Sequence, residues 1–378
     1  RLLSGVLILF GFLAQFFLLI RGGIQQIPLN IASAYYSNNH VLNDLSVNSI
    51  YFFGHSYLLH NRTQIDDFMP SIAPNESEKR IKKLFIYPKK HDQYIFKSSK
   101  PNIVIIVFEG WSSNAISCLS ETQKSTPNFD KLASEGLLFN NIFACGLTSE
   151  IGNSSIFSGY PALPEISISM HPEKHRKIRT INEELKSYST NYLFGGDLKY
   201  ENIGSYFMDH NFQHVEDEKV FPSNLSRGKL NYFDSDLYAL LLKKMNSTKE
   251  PFLHCAFTGS THSPYDHPKS KNPRFKGEEA DYMNSMVYAD KCLGDFIANC
   301  KTKPWFKNTI FVFVSDHGHP SPGLTNPNSK VFFRIPFLIW GEELKDTYRG
   351  KINDKIGSQA DIAATLLYQV GGNLKKFP

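Results

Sequence analysis

The chain has 378 residues, 41% of them hydrophobic and 20% charged, which excludes a disordered polymer and leaves room for one large domain or two medium ones. Its net charge of +5 comes from lysines and arginines scattered apart from short runs such as KRIKK (79–83). This makes no case for nucleic acid and fits an anionic membrane surface equally well.

Residues 2–20, LLSGVLILFGFLAQFFLLI, are apolar throughout save Ser4, Gly5, Gly11 and Gln15, and are flanked by Arg1 and Arg21. Such a stretch is long enough to cross a bilayer core of about 30 Å as a helix. A cleavable signal peptide has a shorter apolar region and a small-residue cleavage site, which IRGGIQ does not supply. A buried helix of a soluble domain would show a polar face, and this one has none. Residues 1–21 are therefore expected to form a transmembrane helix. Because the chain starts at Arg1 rather than Met, it is expected to start partway into a longer protein.

Residues 22–98 mix aromatics with Asn and Ser and read as a partly helical juxtamembrane connector, lying against the membrane or the following domain. The irregular basic stretch 86–102 ends it, closed by Pro101. From there on the pattern is α/β. NIVIIVFE (102–109) is a β-branched run suited to a strand buried on both faces. STPNFDKLASEG (125–136) is a helix with Thr126 as N-cap, Pro127 at the first position and Gly136 as stop. LLFNNIFA (137–144) reads as a strand, SEIGNSSIFSG (149–159) and TINEELKSYS (180–189) as helices, and TNYLFGGD (190–197) as strand and turn. An amphipathic helix (232–247), a strand (251–261), a long helix (279–301), strands at 308–315 and 333–341, and a helix at 358–371 complete the series. Strands alternating with helices predict an α/β fold with a largely parallel sheet covered on both faces. Five cysteines without CxxC spacing argue against a zinc ribbon or disulfide scaffold, with a Cys292–Cys300 pairing left open.

In such sheets the site lies beyond the carboxyl ends of the strands. Glu109 ends the first strand, and Asp316 and His317 end FVFVSDHG. Thr261 and His262 follow a third strand, Asp197 a fourth, and Thr148 stands in a loop just before a helix. Each has a bland reading: a solvated strand end, a polar turn, an N-cap threonine, a surface histidine. Their joint placement at one edge is harder to obtain by accident. Two carboxylates, an imidazole and a hydroxyl suit a divalent ion such as Mn²⁺, Mg²⁺ or Zn²⁺. A threonine hydroxyl needs a base or a metal before it acts as a nucleophile, and a helix N-terminus favours an anionic ester. The reaction class expected is metal-assisted nucleophilic transfer at phosphorus or sulfur.

The segments NIVIIVFEGWSSNAI, TPNFDKLASEGLLFNNIFA, CGLTSEIGNSSIFSGYPALP, FGGDLKYENIGSYF, THSPY and FVSDHGHP…FRIPFLIWG together resemble, over roughly 100–370, one particular family. It is the sulfatase-like family of lipoteichoic acid synthases and related phosphoglycerol or phosphoethanolamine transferases. The resemblance implies an alkaline-phosphatase/sulfatase-like catalytic domain over 99–378, on the extracytoplasmic side of the cell membrane, after several transmembrane helices of which residues 1–21 would be the last. An early end at Pro378 implies a missing C-terminal part. The implied ligands of one divalent metal, manganese first and magnesium or zinc as alternatives, are Glu109, Thr148, Asp316 and His317. Thr148 is the implied nucleophile, and His262 contacts the transferred phosphate or protonates the leaving group. The implied partners are a phospholipid donor, an envelope glycan or glycolipid acceptor, and the membrane.

The sequence departs from the Gram-positive synthases at FGGDLKYEN. Gly195 stands where their Phe-His-Gly pattern has histidine, and no Trp-Asn-Arg follows, so Asp197 and Lys199 are the substitute candidates for head-group contact. A phosphoethanolamine transferase, or a sulfatase or phosphodiesterase on the same fold, is the alternative, although a sulfatase needs C/S-x-P-x-R and the loop here reads LTSEIG. A two-metal alkaline phosphatase would need further ligands, for which His319 and His267 are spare. An inactive scaffold domain would have no reason to keep the full ligand set.

Overall fold

NIVIIVF has no polar residue after Asn102, so it can only sit with both faces covered, and β1 (Asn102–Phe108) is buried along its whole length. The computed structural model describes residues 2–25, 27–62, 71–84, 93–120, 124–163, 166–374 and 377. Beyond β1 the strands are β2 (Leu137–Phe143), β3 (Ser189–Phe194), β4 (His214–Glu216), β5 (Phe252–Phe257), β6 (Thr309–Ser315), β7 (Arg334–Gly341), β8 (Lys351–Asn353) and β9 (Gly357–Ser358). They form one nine-stranded sheet in the order β4-β3-β5-β1-β6-β7-β2-β8, with β9 also on β2. The half from β4 to β6 is parallel, and β7 runs antiparallel to both β6 and β2.

The pleat sends alternate β1 residues into two separate cores. Val104, Ile106 and Phe108 pack with the Pro127–Glu135, Asp234–Ser247 and Ala280–Cys300 helices. Ile103, Ile105 and Val107 pack with the Ser149–Ser158, Ile203–Asp209 and Ala360–Gln369 helices on the other face. Each face buries apolar surface worth about 25 cal/mol per Å², and helices on both faces are what a parallel half-sheet requires. The expected α/β architecture is therefore the observed one. The helix expected at 180–189 shrinks to one turn, Ile181–Glu184, because the chain must already be extended at Ser189 to enter β3. Strands β4, β8 and β9 and the Ile203–Asp209 helix were not foreseen. Cys292 and Cys300 lie on one helix, about 12 Å apart along its axis, and all five cysteines are free.

The Leu2–Arg21 helix has no buried residue and is a candidate membrane span by length and composition. Gly22 and Gly23, at φ +84° and +124°, turn the chain back at its end. Helices at His40–Ser46, Ser49–Arg62 and Pro74–Leu84 follow. Part of the basic stretch expected at 86–102 lies outside the described residues, but Ile95 and Phe96 are buried in the core beside β1.

One buried carboxylate joins two helices of the first layer. Asp290, 1% exposed, accepts hydrogen bonds from Asn128 N and Nδ2 and from Phe129 N, at 2.8–2.9 Å. It thereby caps the Pro127–Glu135 helix, whose own Thr126 makes no side-chain cap. Asp290→Ala should lower stability by about 1–3 kcal/mol, since buried N–H groups then lose their acceptor. Urea unfolding with an unchanged m-value checks it.

Candidate active site and metal centre

Register brings the acidic residues together. Phe108 pairs with Ser315 across the parallel β1–β6 ladder, so Glu109 and Asp316 leave the sheet side by side. Asp316 N donates to Phe108 O at 3.0 Å, extending the ladder by one step. Asp316 is wholly buried, and its Oδ1 accepts from Gly110 N at 2.8 Å and His317 N at 2.7 Å. Its Oδ2, also buried, accepts from nothing. Glu109 is 5% exposed, with its amide donating to Thr258 Oγ1 at 3.0 Å and its Oε2 accepting from Ser149 Oγ at 3.3 Å.

His317 completes the cluster. Its Nδ1 lies 2.7 Å from Gly318 O, which makes that nitrogen the protonated one and leaves Nε2 with a free lone pair. Nε2 stands 3.5 Å from both Glu109 Oε1 and Asp316 Oδ2. One potential ligand atom from each of the three residues lies within 4.8 Å of the others. Burial, and then the neighbouring Asp316 carboxylate, push Glu109 well above the ordinary carboxylate range. Two buried like charges with an unpartnered oxygen between them are what a cation would neutralise. Two carboxylates and an imidazole held by backbone and Ser149 donors fit a divalent ion of the hard or borderline class.

Thr148 is the N-cap residue of the Ser149–Ser158 helix by position, in extended backbone, but makes no capping bond. Its hydroxyl donates to Glu150 Oε1 at 2.9 Å, while the hydroxyl on Glu109 is that of Ser149. The structure thus places Thr148 one residue before the hydroxyl that bonds the acidic cluster, with its own oxygen turned to Glu150. Glu150 in turn faces Glu201, whose carboxyl is pushed up to about 9 by burial and then by its bond to Glu150. Neither Ser149 nor the Glu150–Glu201 pair was expected from the sequence, which shows only SE after the threonine and an ordinary glutamate in KYEN.

The other expected residues meet in one cleft of about 680 Å³, lined by Asp197, Lys199 and His262 together with Glu109 and Ser149. His262 Nδ1 donates to Ser263 O at 2.6 Å, leaving Nε2 free. Asp197 Oδ1 accepts Lys199 N at 3.0 Å, and the Lys199 ammonium is 4.0 Å from Asp197 Oδ2. Lys219, Arg227 and Lys229 also line the cleft and were missed. They lie in a polar, irregular stretch whose only signal was the RGK triplet. A Cβ at Gly195 would meet Tyr232 O at 3.1 Å, so the irregular segment that runs from Arg227 to Tyr232 crowds the position where a histidine would stand. His319 and His267, weighed as ligands of a second metal, are engaged elsewhere. His319 accepts from Ser321 N and contacts Tyr265 Oη, and His267 bonds Tyr265 O.

The purified protein is expected to hold one divalent ion per chain, and Asp316→Asn or His317→Ala to lose most of it. Elemental analysis and the rise in Tm on adding Mn²⁺, Mg²⁺ or Zn²⁺ measure this. A second test uses packing. A Cβ on Gly152 would lie 2.1 Å from Asp316 O, so only glycine lets the Ser149–Ser158 helix approach the ligand loop. Gly152→Ala should cost about 1–3 kcal/mol by overpacking and weaken metal binding by about tenfold through displaced supporting groups. Titration of the same variant by calorimetry separates the two effects.

Residues 101–372 match the sulfatase family model. The chain is 23% identical over 301 residues to an ulvan-active sulfatase of Formosa agariphila, covering 74% of this chain and 56% of that protein. It is 23% identical over 372 residues to the lipoteichoic acid synthase of Staphylococcus aureus, covering 86% of this chain and 56% of that one. The chain spans about half the length of these curated relatives. A solved structure of a protein in the alkaline phosphatase superfamily from Vibrio parahaemolyticus superposes with a TM-score of 0.67 at 27% identity, covering 74% of this chain and 68% of that one. The match across the whole sheet and its acidic edge means that the chain belongs to the sulfatase family, within the alkaline phosphatase superfamily.

Proposed function

We propose that the protein is a membrane-anchored, metal-dependent transferase that moves a phospholipid head group, phosphoglycerol first, onto an envelope glycan or glycolipid. The observation that carries this reading is the Thr148 hydroxyl at a helix N-terminus, one residue before the Ser149 that bonds Glu109 of the Glu109–Asp316–His317 cluster and that lines a cleft with Lys199, Lys219, Arg227 and Lys229. Cations around a cleft and exposed N–H groups at a helix start favour an anionic phosphodiester. The resemblance of the sequence to a lipoteichoic acid synthase supports phosphoglycerol as the group moved and the extracytoplasmic side as its place. A bound divalent ion, manganese by the same resemblance, would neutralise the acidic cluster and stabilise charge on the transferred phosphate.

The residues divide the work as follows. Thr148 Oγ attacks phosphorus, forming an O–P bond as the bond to the diacylglycerol oxygen breaks. Glu150, the acceptor of the Thr148 hydroxyl, takes its proton. Protonated on both ring nitrogens, with Nδ1–H on Ser263 O, His262 holds a non-bridging oxygen through Nε2–H or gives that proton to the departing oxygen, and Asp197 and Lys199 contact the head group. An acceptor alcohol then takes the group from Thr148.

The sulfatase relative favours a second reading, ester hydrolysis without transfer. Incubating the membrane-inserted chain with labelled phosphatidylglycerol, phosphatidylethanolamine or a sulfated glycan decides between them. Release of diacylglycerol from phosphatidylglycerol is expected, and release of sulfate alone overturns the proposal. Thr148→Ala should abolish diacylglycerol release while leaving metal content unchanged. A quenched reaction of the unmodified chain should show the peptide containing Thr148 heavier by one phosphoglycerol. Residual turnover in Thr148→Ala with no such adduct refutes the covalent route.

A further inference from the structure

The catalytic cleft has a wall that the catalytic domain does not build. Gln25, Ile27, Pro28, Leu29 and Ser33, which follow directly on the candidate membrane span, line the same cleft as Glu109, Ser149 and His262. This stretch is tied down at both ends. Leu29 N donates to Arg21 O at 3.0 Å, closing a loop on the last residue of the apolar helix. Asn30 Nδ2 donates to Lys199 O at 2.8 Å, on the loop that carries the head-group candidates. Ile31 and Ala32 are then buried. A few residues on, Arg176 clamps the segment to the catalytic domain. Its guanidinium donates to Tyr35 Oη and to both carboxylate oxygens of Asp44, each at 2.9 Å, and to Asp209 Oδ2 at 2.8 Å.

The cleft is therefore amphipathic along its length. One part carries Glu109, His262 and the cationic side chains, and another carries Ile27, Pro28 and Leu29. Leu29 remains 48% exposed beside it, an apolar surface continuous with a helix that has no buried residue. The same connector turns Ile50, Phe53 and Tyr57 outward on the Ser49–Arg62 helix. An apolar surface of this kind, starting at a membrane span, is placed to meet acyl chains rather than water. A phosphodiester whose two sides are a polar head group and an acylated glycerol matches both parts of the cleft.

We propose that Gln25, Ile27, Pro28, Leu29 and Ser33 are the wall that receives the acylated glycerol of the donor, so that this juxtamembrane stretch sets the preference for a bilayer-embedded phosphodiester over a water-soluble one. Ile27 and Leu29 contact the lipid portion, and Asn30 is a positioning residue that holds them against the Lys199 loop. The inference rests on the head-group transfer reading and adds where its lipid selectivity resides.

The test uses the full chain in vesicles of phosphatidylglycerol and phosphatidylcholine, with p-nitrophenyl phosphoglycerol as the soluble diester. Ile27→Asn/Leu29→Asn should lower the ratio of kcat/KM for vesicle lipid to kcat/KM for the soluble diester by about tenfold, the scale of losing apolar contacts in a binding pocket. The loss should fall in KM for the lipid. Asn30→Ala should shift the ratio in the same direction. Ile352→Asn, which removes an exposed apolar side chain on β8, should leave it where it was. Wild-type lipid turnover with a ratio unchanged in both wall variants overturns this inference alone, as does an equal loss for both substrates. Wild-type turnover of the soluble diester with none of the phospholipid overturns the transferase reading and this inference together.

Discussion

Two buried carboxylates that cannot both be charged without a partner are the constraint around which this molecule is organised. Isolated, each would cost several kcal/mol to ionise away from water. Register leaves no room to separate them, because Glu109 and Asp316 directly follow the paired Phe108 and Ser315 at the ends of adjacent parallel strands. The surroundings answer with donors. Gly110 N and His317 N saturate one oxygen of Asp316, and the Ser149 hydroxyl faces Glu109. Gln359 Nε2 donates to the carbonyls of Ser315 and Asp316, fixing the turn that presents the ligand loop. What is left over, Asp316 Oδ2 and His317 Nε2, points to the same place. The site thus favours added positive charge, whether a proton on Glu109 or a bound cation.

That constraint also explains which parts of the fold tolerate little change. The approach of the Ser149–Ser158 helix depends on Gly152, and the turn after His317 on Gly318, where a Cβ would lie 1.7 Å from Phe332 O. Both glycines have ordinary backbone angles, and what they supply is space. Tyr282 works from the opposite layer: its hydroxyl donates to Gly110 O, and its ring stacks on His319 at 3.7 Å. The two cores on either face of the sheet therefore both terminate on the same two loops. A packing change in either layer reaches the acidic pair through backbone, over distances of one or two residues.

The central strands, the larger helices and the acidic ends were legible in the sequence for a simple reason. Fully buried strands read as unbroken apolar runs, and any polar residue at the end of such a run stands out. NIVIIVFE and FVFVSDHG are of this kind, and the structure puts their terminal residues in contact. Short edge strands were not legible, since β4, β8 and β9 are two or three residues long and half exposed. The antiparallel entry of β7 was not readable either, because a buried strand has the same pattern in both directions. Lys219, Arg227 and Lys229 escaped notice because cationic residues in an irregular segment resemble any solvated loop until its path is known. The Glu150–Glu201 pair is a purely tertiary fact, created where a left-handed Glu201 at φ +50° folds a loop back onto the helix start.

The helix start itself carries two adjacent hydroxyls, and the geometry gives them different characters. Ser149 is buried and bonded to Glu109, so removing its proton would add negative charge to a cluster that already holds too much. Thr148 is less buried and bonded to Glu150, beside which burial pushes the Glu201 carboxyl up to about 9. The immediate proton acceptor of Thr148 is Glu150 Oε1, whereas that of Ser149 is Glu109 Oε2 inside the acidic pair. The two hydroxyls thus differ in what they touch: Ser149 steadies the acidic pair, and Thr148 is the one we propose as the attacking oxygen. The N-cap position adds to this distinction, because Thr148 leaves the first helical N–H groups without a side-chain acceptor and so free for an anion beside its own oxygen.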